Sequence, residues 1–213
     1  HTPLQKKFLE DKYKVKNVSS IVTGLDARPI QKRHGFNMLF FGMLSPGKGV
    51  EYLIKSMKYF PDGTLKIVGS VPNNACKRYK ESLISLLKKE KQGITLITKS
   101  WFSDKEKHSH FKWADVSVAP YVWGPYHSGA VQDAAEYGIP IVVTHIGAIW
   151  EFVKAYRLGQ IVPARDAKAL ALGIMQVFSK FGSYRKGILQ YRKDASWKKA
   201  AQRYVGLYRK VVR

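Results

Sequence analysis

The stretch GMLSPGKG, residues 42–49, sets one lysine among three glycines. Glycine has no Cβ, so backbone at Gly42, Gly47 and Gly49 can come close to a ligand. Lys48 stands just ahead of a helical pattern over residues 50–57. A lysine beside the free N–H groups of a helix start is chemistry for phosphate. The G-x-x-x-x-G-K spacing of a Walker A loop is present from Gly42 to Lys48. Gly49, however, occupies the place of the magnesium-holding hydroxyl, so this is not a magnesium–nucleotide loop. An ordinary glycine turn with an exposed lysine would carry the same letters.

A second stretch, HSGAVQDAAEYGIPIVV at 127–143, opens a helix at Ser128-Gly129-Ala130 and ends it at Gly138. A helix start offers unpaired N–H groups and a partial positive charge. Asp133 lies one turn in, too far to cap the helix but able to accept hydrogen bonds from a vicinal diol. Phosphate at the start and ribose at the acid would together read a nucleotide. Alternatively, Asp133 only complements the helix dipole, worth about 0.3–1 kcal/mol. Glu136 reads as a solvated helix residue. His108, His110, His127 and His145 have no metal-ligand spacing and read as surface or core histidines; His127 adjoins the helix start. No Ser/His/Asp arrangement emerges, so no catalytic residue and no metal site is assigned.

These residues need a scaffold, and the hydrophobic pattern supplies one. Apolar runs at 37–41, 64–68, 94–98, 116–120, 139–143 and 159–163 read as six strands. Helical patterns at 50–57, 75–90, 104–113, from 128 and from 166 fall between or after them. Alternation of this kind predicts an α/β fold with a parallel sheet of about six strands in three layers. The strands are apolar on both faces, as strands covered from both sides must be. Ligands of such sheets bind beyond the carboxyl ends of the strands. Residues 3–14 read as a separate helix and 183–213 as purely helical.

Thirty-seven Lys and Arg against fifteen Asp and Glu give a net charge of +22, which attracts anions: nucleic acid, acidic lipid or phosphorylated small molecules. Cys76 is the sole cysteine, which excludes an internal disulfide and a cysteine-based zinc site. No run of 18 apolar residues is present, hence no spanning helix is expected. In the final helix, Ala200, Ala201, Tyr204, Leu207, Tyr208, Val211 and Val212 share one face, and Lys198, Lys199, Arg203, Arg209, Lys210 and Arg213 the other. That helix either packs on its own domain or meets an anionic membrane or partner domain.

The segment SGAVQDAAEYGIPIVVTHIGAIWEFV resembles the donor-binding segment of family 4 retaining glycosyltransferases of the GT-B fold. LFFGMLSPGKGVEYLIKSM, ITLITKSWFSDKEKHSHFKWADVSVAPY, IVTGLD and ASWKKAAQRYVGLY are similar, in order, to further segments of that family. The resemblance implies a Rossmann-like domain, the C-terminal half of a GT-B fold. Residues 1–30 would be the end of an N-terminal domain and hinge, 31–182 the nucleotide-sugar-binding domain, and 183–213 amphipathic closing helices. It further implies that Gly42, Lys48, Ser128, Gly129 and Ala130 meet the donor diphosphate, that Asp133 holds the ribose, and that Lys99, Ser100 and Trp101 meet the base. Two positions depart from the pattern: Met43 replaces the usual Arg, and Pro125 the first acid of E-x7-E. The expected activity is transfer of a sugar from a UDP- or GDP-sugar, as substrate, to an acceptor, with no cofactor. The acceptor-binding N-terminal domain is expected to lie outside this chain. The expected location is the cytoplasm, peripheral on an anionic inner membrane face. Two alternatives stay open: a non-catalytic glycosyltransferase-like subunit, and a basic Rossmann-like module for nucleic acid, the latter opposed by the ordered segments.

Overall fold

The computed structural model describes residues 2–30, 33–90, 93–124 and 128–212. Six strands form one sheet: β1 (Asn37–Met43), β2 (Thr64–Ser70), β3 (Ile94–Lys99), β4 (Val116–Ala119), β5 (Ile141–Thr144) and β6 (Gly159–Val162). All neighbours are parallel, in the order β3-β2-β1-β4-β5-β6. The chain steps outward from β1 to β3, then returns to place β4 on the other side of β1. The crevice between β1 and β4 is therefore the topological switch point.

The helices are α1 (Pro3–Tyr13), α2 (Val50–Ser56), α3 (Asn74–Leu87), α4 (Asp104–Trp113), α5 (Gly129–Tyr137), α6 (Trp150–Tyr156), α7 (Ala167–Ser179), α8 (Arg185–Asp194) and α9 (Trp197–Val211). Helix α2 packs with α3 and α7, while α5 packs with α4 and α8, so both sheet faces are covered. Met38, Leu39, Phe40 and every residue of β4 and β5 are buried, as the doubly apolar strands require. Buried Asp115 takes the backbone N–H groups of His34 (2.6 Å) and Asn37 (3.0 Å), fixing the entry to β1. Its charge satisfies buried amides and does not face the ligand edge.

The helical pattern over 183–213 divides into α8 and α9. Ala195 and Ser196 interrupt it, and the Ser196 hydroxyl caps α9 by accepting from Lys199 N–H. Helix α9 does not pack its apolar face on its own domain. Ala200 is its one buried residue among those described, while Tyr204, Tyr208, Val211 and Val212 range from 43% to 86% exposed. The fifth strand starts at Ile141, not at residue 139. Pro140 carries no N–H and instead offers its carbonyl to Ser117 N–H (3.0 Å). The segment 23–28 lies along α5 and the α8–α9 junction: Leu25 N–H donates to Ala195 (2.8 Å) and Arg28 N–H to the Glu136 carbonyl (2.8 Å). Gly24 is required there, because any Cβ would run into the Trp197 indole.

Candidate functional site

At the switch point the two flanking loops are knit together. After β1 the chain makes one 3-10 turn, Pro46–Lys48, and Gly49 adopts φ +62°. A side chain there would be strained and would collide with the Pro120 carbonyl oxygen. The Gly47 carbonyl accepts from both Val122 N–H (3.0 Å) and Trp123 N–H (3.2 Å), binding this loop to the one after β4. Between them lies a cleft of about 460 Å³ bordered by Met43, Ser45, Lys48, Tyr121, Trp123 and Ser128.

Lys48 and Ser128, two of the expected diphosphate ligands, meet here through a residue whose role the pattern did not reveal. The Lys48 ammonium lies 3.9 Å from the centre of the Tyr121 ring, and the Tyr121 hydroxyl is 2.8 Å from Ser128 Oγ. The Tyr121 carbonyl accepts from the Thr144 hydroxyl, so the ring is anchored to β5. No described carboxylate forms an ion pair with Lys48. Its charge is therefore available to an anion entering the cleft.

The two helix starts differ. At α2, Val50 N–H donates to the Tyr79 hydroxyl (2.9 Å), which in turn donates to the Glu51 carboxylate. Burial first, and Glu51 second, push the Tyr79 pKa upward, so the hydroxyl keeps its proton. One of the helix-start amides expected to assist Lys48 is thus already used. At α5, Ser128 Oγ accepts from Ala130 N–H (3.3 Å), and among the described residues no heavy atom lies within 4 Å of where a Cβ on Gly129 would sit. The α5 start is the more accessible anion site.

Asp133 does not border the cleft. It faces α4, where its Oδ1 lies 2.6 Å from Lys107 Nζ. Burial raises the Asp133 pKa, and Lys107 opposes that rise. Burial works against the Lys107 charge too, but Asp133 and Glu136 together hold its pKa above the usual value. Glu136 is not a solvated helix residue. Its side chain is 16% exposed and pairs with Arg28 (3.3 Å) and Lys107 (3.6 Å). Lys107 was not legible as a partner of either acid, because the contact joins two helices 26 residues apart.

Lys99, Ser100 and Trp101 follow β3 on the same edge of the sheet. Lys99 pairs with Glu106 on α4, and its carbonyl accepts from Val71 N–H (3.0 Å). Lys99 and Ser100 border a separate groove of about 390 Å³ with Lys77 and Lys80, and Trp101 is 71% exposed. The expected base loop, acid and phosphate loops thus share one edge but not one cavity. Gly42 sits at the end of β1, next to Met43 in the cleft wall.

His108 packs tilted against Tyr137 at 5.6 Å, His145 lies on Trp150 at 4.5 Å, and His110 packs near Phe41 and Phe102. Burial lowers the His110 pKa. Pro125 and His127 lie outside the described residues. Among the described residues, no three His, Cys, Asp or Glu side chains cluster as a metal site.

The sequence model of the Glycosyl transferases group 1 family matches residues 35–180. An uncharacterised glycosyltransferase of Methanocaldococcus jannaschii is 28% identical over 179 residues, covering 81% of this chain and 44% of the relative. The phosphatidyl-myo-inositol mannosyltransferase of Mycobacterium leprae is 26% identical over 177 residues, covering 81% and 43%. Sucrose-phosphate synthase from Thermosynechococcus elongatus superposes with a TM-score of 0.80 at 23% identity, over 99% of this chain and 57% of that one. HepE of Anabaena, solved in complex with UDP-glucose, superposes with a TM-score of 0.72 at 15% identity, over 99% and 54%. The chain spans less than half the length of these sequence relatives and somewhat more than half of the structural ones. The parallel six-stranded sheet is the Rossmann-like fold of GT-B glycosyltransferases, and with a family match running from β1 through α7 the chain belongs to the group 1 glycosyl transferases.

Proposed function

We propose that this chain is the C-terminal, donor-binding half of a retaining glycosyltransferase that uses a nucleotide-diphosphate sugar, with UDP or GDP as the nucleotide. One observation carries the reading: Lys48 and the open α5 start flank a single cleft at the switch point, joined by Tyr121. Diphosphate leaving from the sugar gains negative charge. A lysine with no carboxylate partner among the described residues, together with helix-start N–H groups, stabilises that charge without rearrangement. Lys99, Ser100 and Trp101 receive the base, and Asp133 the ribose. The solved complex of HepE with UDP-glucose supports a uridine donor.

The acceptor binds another half of the enzyme. Helix α1 exposes Leu4, Phe8, Leu9 and Tyr13, and α9 exposes Tyr204, Tyr208 and Val211, which are apolar surfaces for that half to cover. The exposed basic residues Lys198, Arg209 and Lys210 of α9 face an anionic bilayer, and a relative named for phosphatidyl-myo-inositol supports work beside lipid. A second reading, a subunit that binds donor but transfers no sugar, is favoured by Met43, 42% exposed where the family pattern carries Arg.

Calorimetric titration with UDP-glucose, GDP-mannose and ADP-glucose tests the donor site. Lys48→Ala is expected to weaken the best of the three by about 1.5–3 kcal/mol, the scale of a charged hydrogen bond, with an unchanged melting temperature. Equal affinity of the variant and the parent chain would sink the assignment.

A further inference from the structure

Lys107 and Asp133 belong to helices that each follow a parallel strand, so both helix starts open on the carboxyl edge of the sheet. Lys107 is the fourth residue of α4 and Asp133 the fifth of α5. Their 2.6 Å pair therefore lies one turn below the edge, beside the loop that follows β3 and the start of α5. Other charges around it are Glu136 on α5, 3.6 Å from Lys107, and Arg28 of the 23–28 segment, 3.3 Å from Glu136. Tyr137 on α5 adjoins the cluster, and His108 of α4 packs on Tyr137. Among the described residues, Lys107 is the one cation within ion-pair distance of Asp133.

We propose that Lys107 is a positioning residue for the donor: it keeps Asp133 ionised and aimed, so that the carboxylate can accept the ribose 2′- and 3′-hydroxyls. The inference rests on the donor-site reading above. Lys107 takes Oδ1, and no described donor is bonded to Oδ2. A carboxylate that is partly buried and shares its helix with Glu136 is driven toward its neutral form by desolvation and by like charge. A neutral carboxyl is the poorer acceptor for two hydroxyl donors. Lys107 opposes both effects from across the helix pair. Glu136 shares Lys107 at 3.6 Å but also pairs with Arg28 at 3.3 Å, while Asp133 holds Lys107 at 2.6 Å.

The test is the pH dependence of binding of UDP-glucose, GDP-mannose or ADP-glucose, whichever binds the parent chain most tightly. Their diphosphates are diesters and do not titrate near neutrality, so a pH effect belongs to the protein. The parent chain is expected to bind equally from about pH 6 to about pH 8.5, far above an ordinary Asp pKa. Lys107→Met removes the opposing cation, the Asp133 pKa rises further, and affinity should fall about tenfold at the acid end, recovering as pH rises. Lys107→Arg should restore the flat profile. Asp133→Asn should bind weakly at every pH, with Lys107→Met adding nothing to it. A flat profile in Lys107→Met, with Asp133→Asn weak, would overturn the role of Lys107 and leave the donor site standing. Asp133→Asn binding like the parent chain would overturn the ribose assignment itself.

Discussion

Tyr121 links the parts of the candidate cleft through one side chain. Its ring supports the Lys48 ammonium, its hydroxyl reaches the Ser128 cap of α5, and its carbonyl is tied to Thr144. At 7% exposure it is nearly a core residue, and a tyrosine at a strand end reads as packing, so nothing in the pattern separated it from its neighbours. The position of Lys48 on the cleft was legible from the glycines around it, although an ordinary glycine turn carries the same letters. Asp133 was legible as an acid near a helix start, but its partner was not. The ring confines a lysine that would otherwise lose up to about 2 kcal/mol of rotamer freedom on meeting a phosphate. Tyr121→Phe keeps the ring and loses only the Ser128 contact. Tyr121→Leu loses both, while the backbone bond from Thr144 survives in each. Nucleotide-sugar affinity should therefore change little in the Phe variant and fall by about 1 kcal/mol in the Leu variant, the scale of a partly exposed cation–π contact. Unchanged or tighter binding by Tyr121→Leu would mean that the ring competes with the ligand for Lys48.

Helix α4 shows how an element can fix a loop. Ser103 and Glu106 form a capping box at its start, and Glu106 also pairs with Lys99 at the end of β3. The loop at 99–101 is thus closed by the same carboxylate that caps the next helix. The Lys99 contact first, and the Ser103 bonds second, lower the Glu106 pKa from 4.5 to about 2. A carboxylate lowered in the folded state contributes stability above its unfolded pKa and loses it as pH falls through the folded one. Glu106→Gln keeps capping geometry without the charge. Urea midpoints of the parent chain should drop more steeply than those of Glu106→Gln between pH 4.5 and about 2, and converge below. Parallel curves would show that the pair adds nothing in solution. Elements like α4 were readable because Ser-x-x-Glu precedes a periodic run. The strands were readable because both faces are apolar. The start of α9 at Trp197 was readable too, because Ser196 ahead of it is a local N-cap whose hydroxyl accepts from Lys199 N–H. Helix α6 was missed: it has seven residues and no side-chain cap at Ile149 to mark its start.

Across the whole molecule the excess of 22 positive charges is not spread over equivalent positions. Several cations at the carboxyl-terminal end have structural roles. Arg192 is buried and donates to the Ala135 and Glu136 carbonyls at the end of α5, where a cation complements the helix dipole. Lys199 pairs with Asp194 at 2.6 Å, and Arg203 donates to the Asp194 carbonyl at 3.0 Å. Lys198, Arg209 and Lys210 are exposed, have no described ion-pair partner, and lie on a helix that carries no acid. They are the α9 cations available to a bilayer. Each basic residue near an anionic surface contributes about 1 kcal/mol, and the effect decays over a Debye length of about 10 Å at 0.1 M salt. The chain should therefore sediment with vesicles containing phosphatidylglycerol at low salt, release as salt rises, and stay off neutral phosphatidylcholine vesicles. Changing Lys198, Arg209 and Lys210 to Glu lowers the net charge by six, to +16, so the protein as a whole stays strongly basic. Loss of sedimentation in that variant, with nucleotide-sugar affinity intact, would place the contact on α9. The same reversal at Arg78, Lys88 and Lys89, exposed on or just after α3, should leave sedimentation unchanged. If both triple variants lose binding equally, the attraction is diffuse and α9 has no special part. Equal sedimentation with neutral and anionic vesicles would instead assign the contact to the exposed Tyr204, Tyr208 and Val211 stripe and remove the electrostatic account.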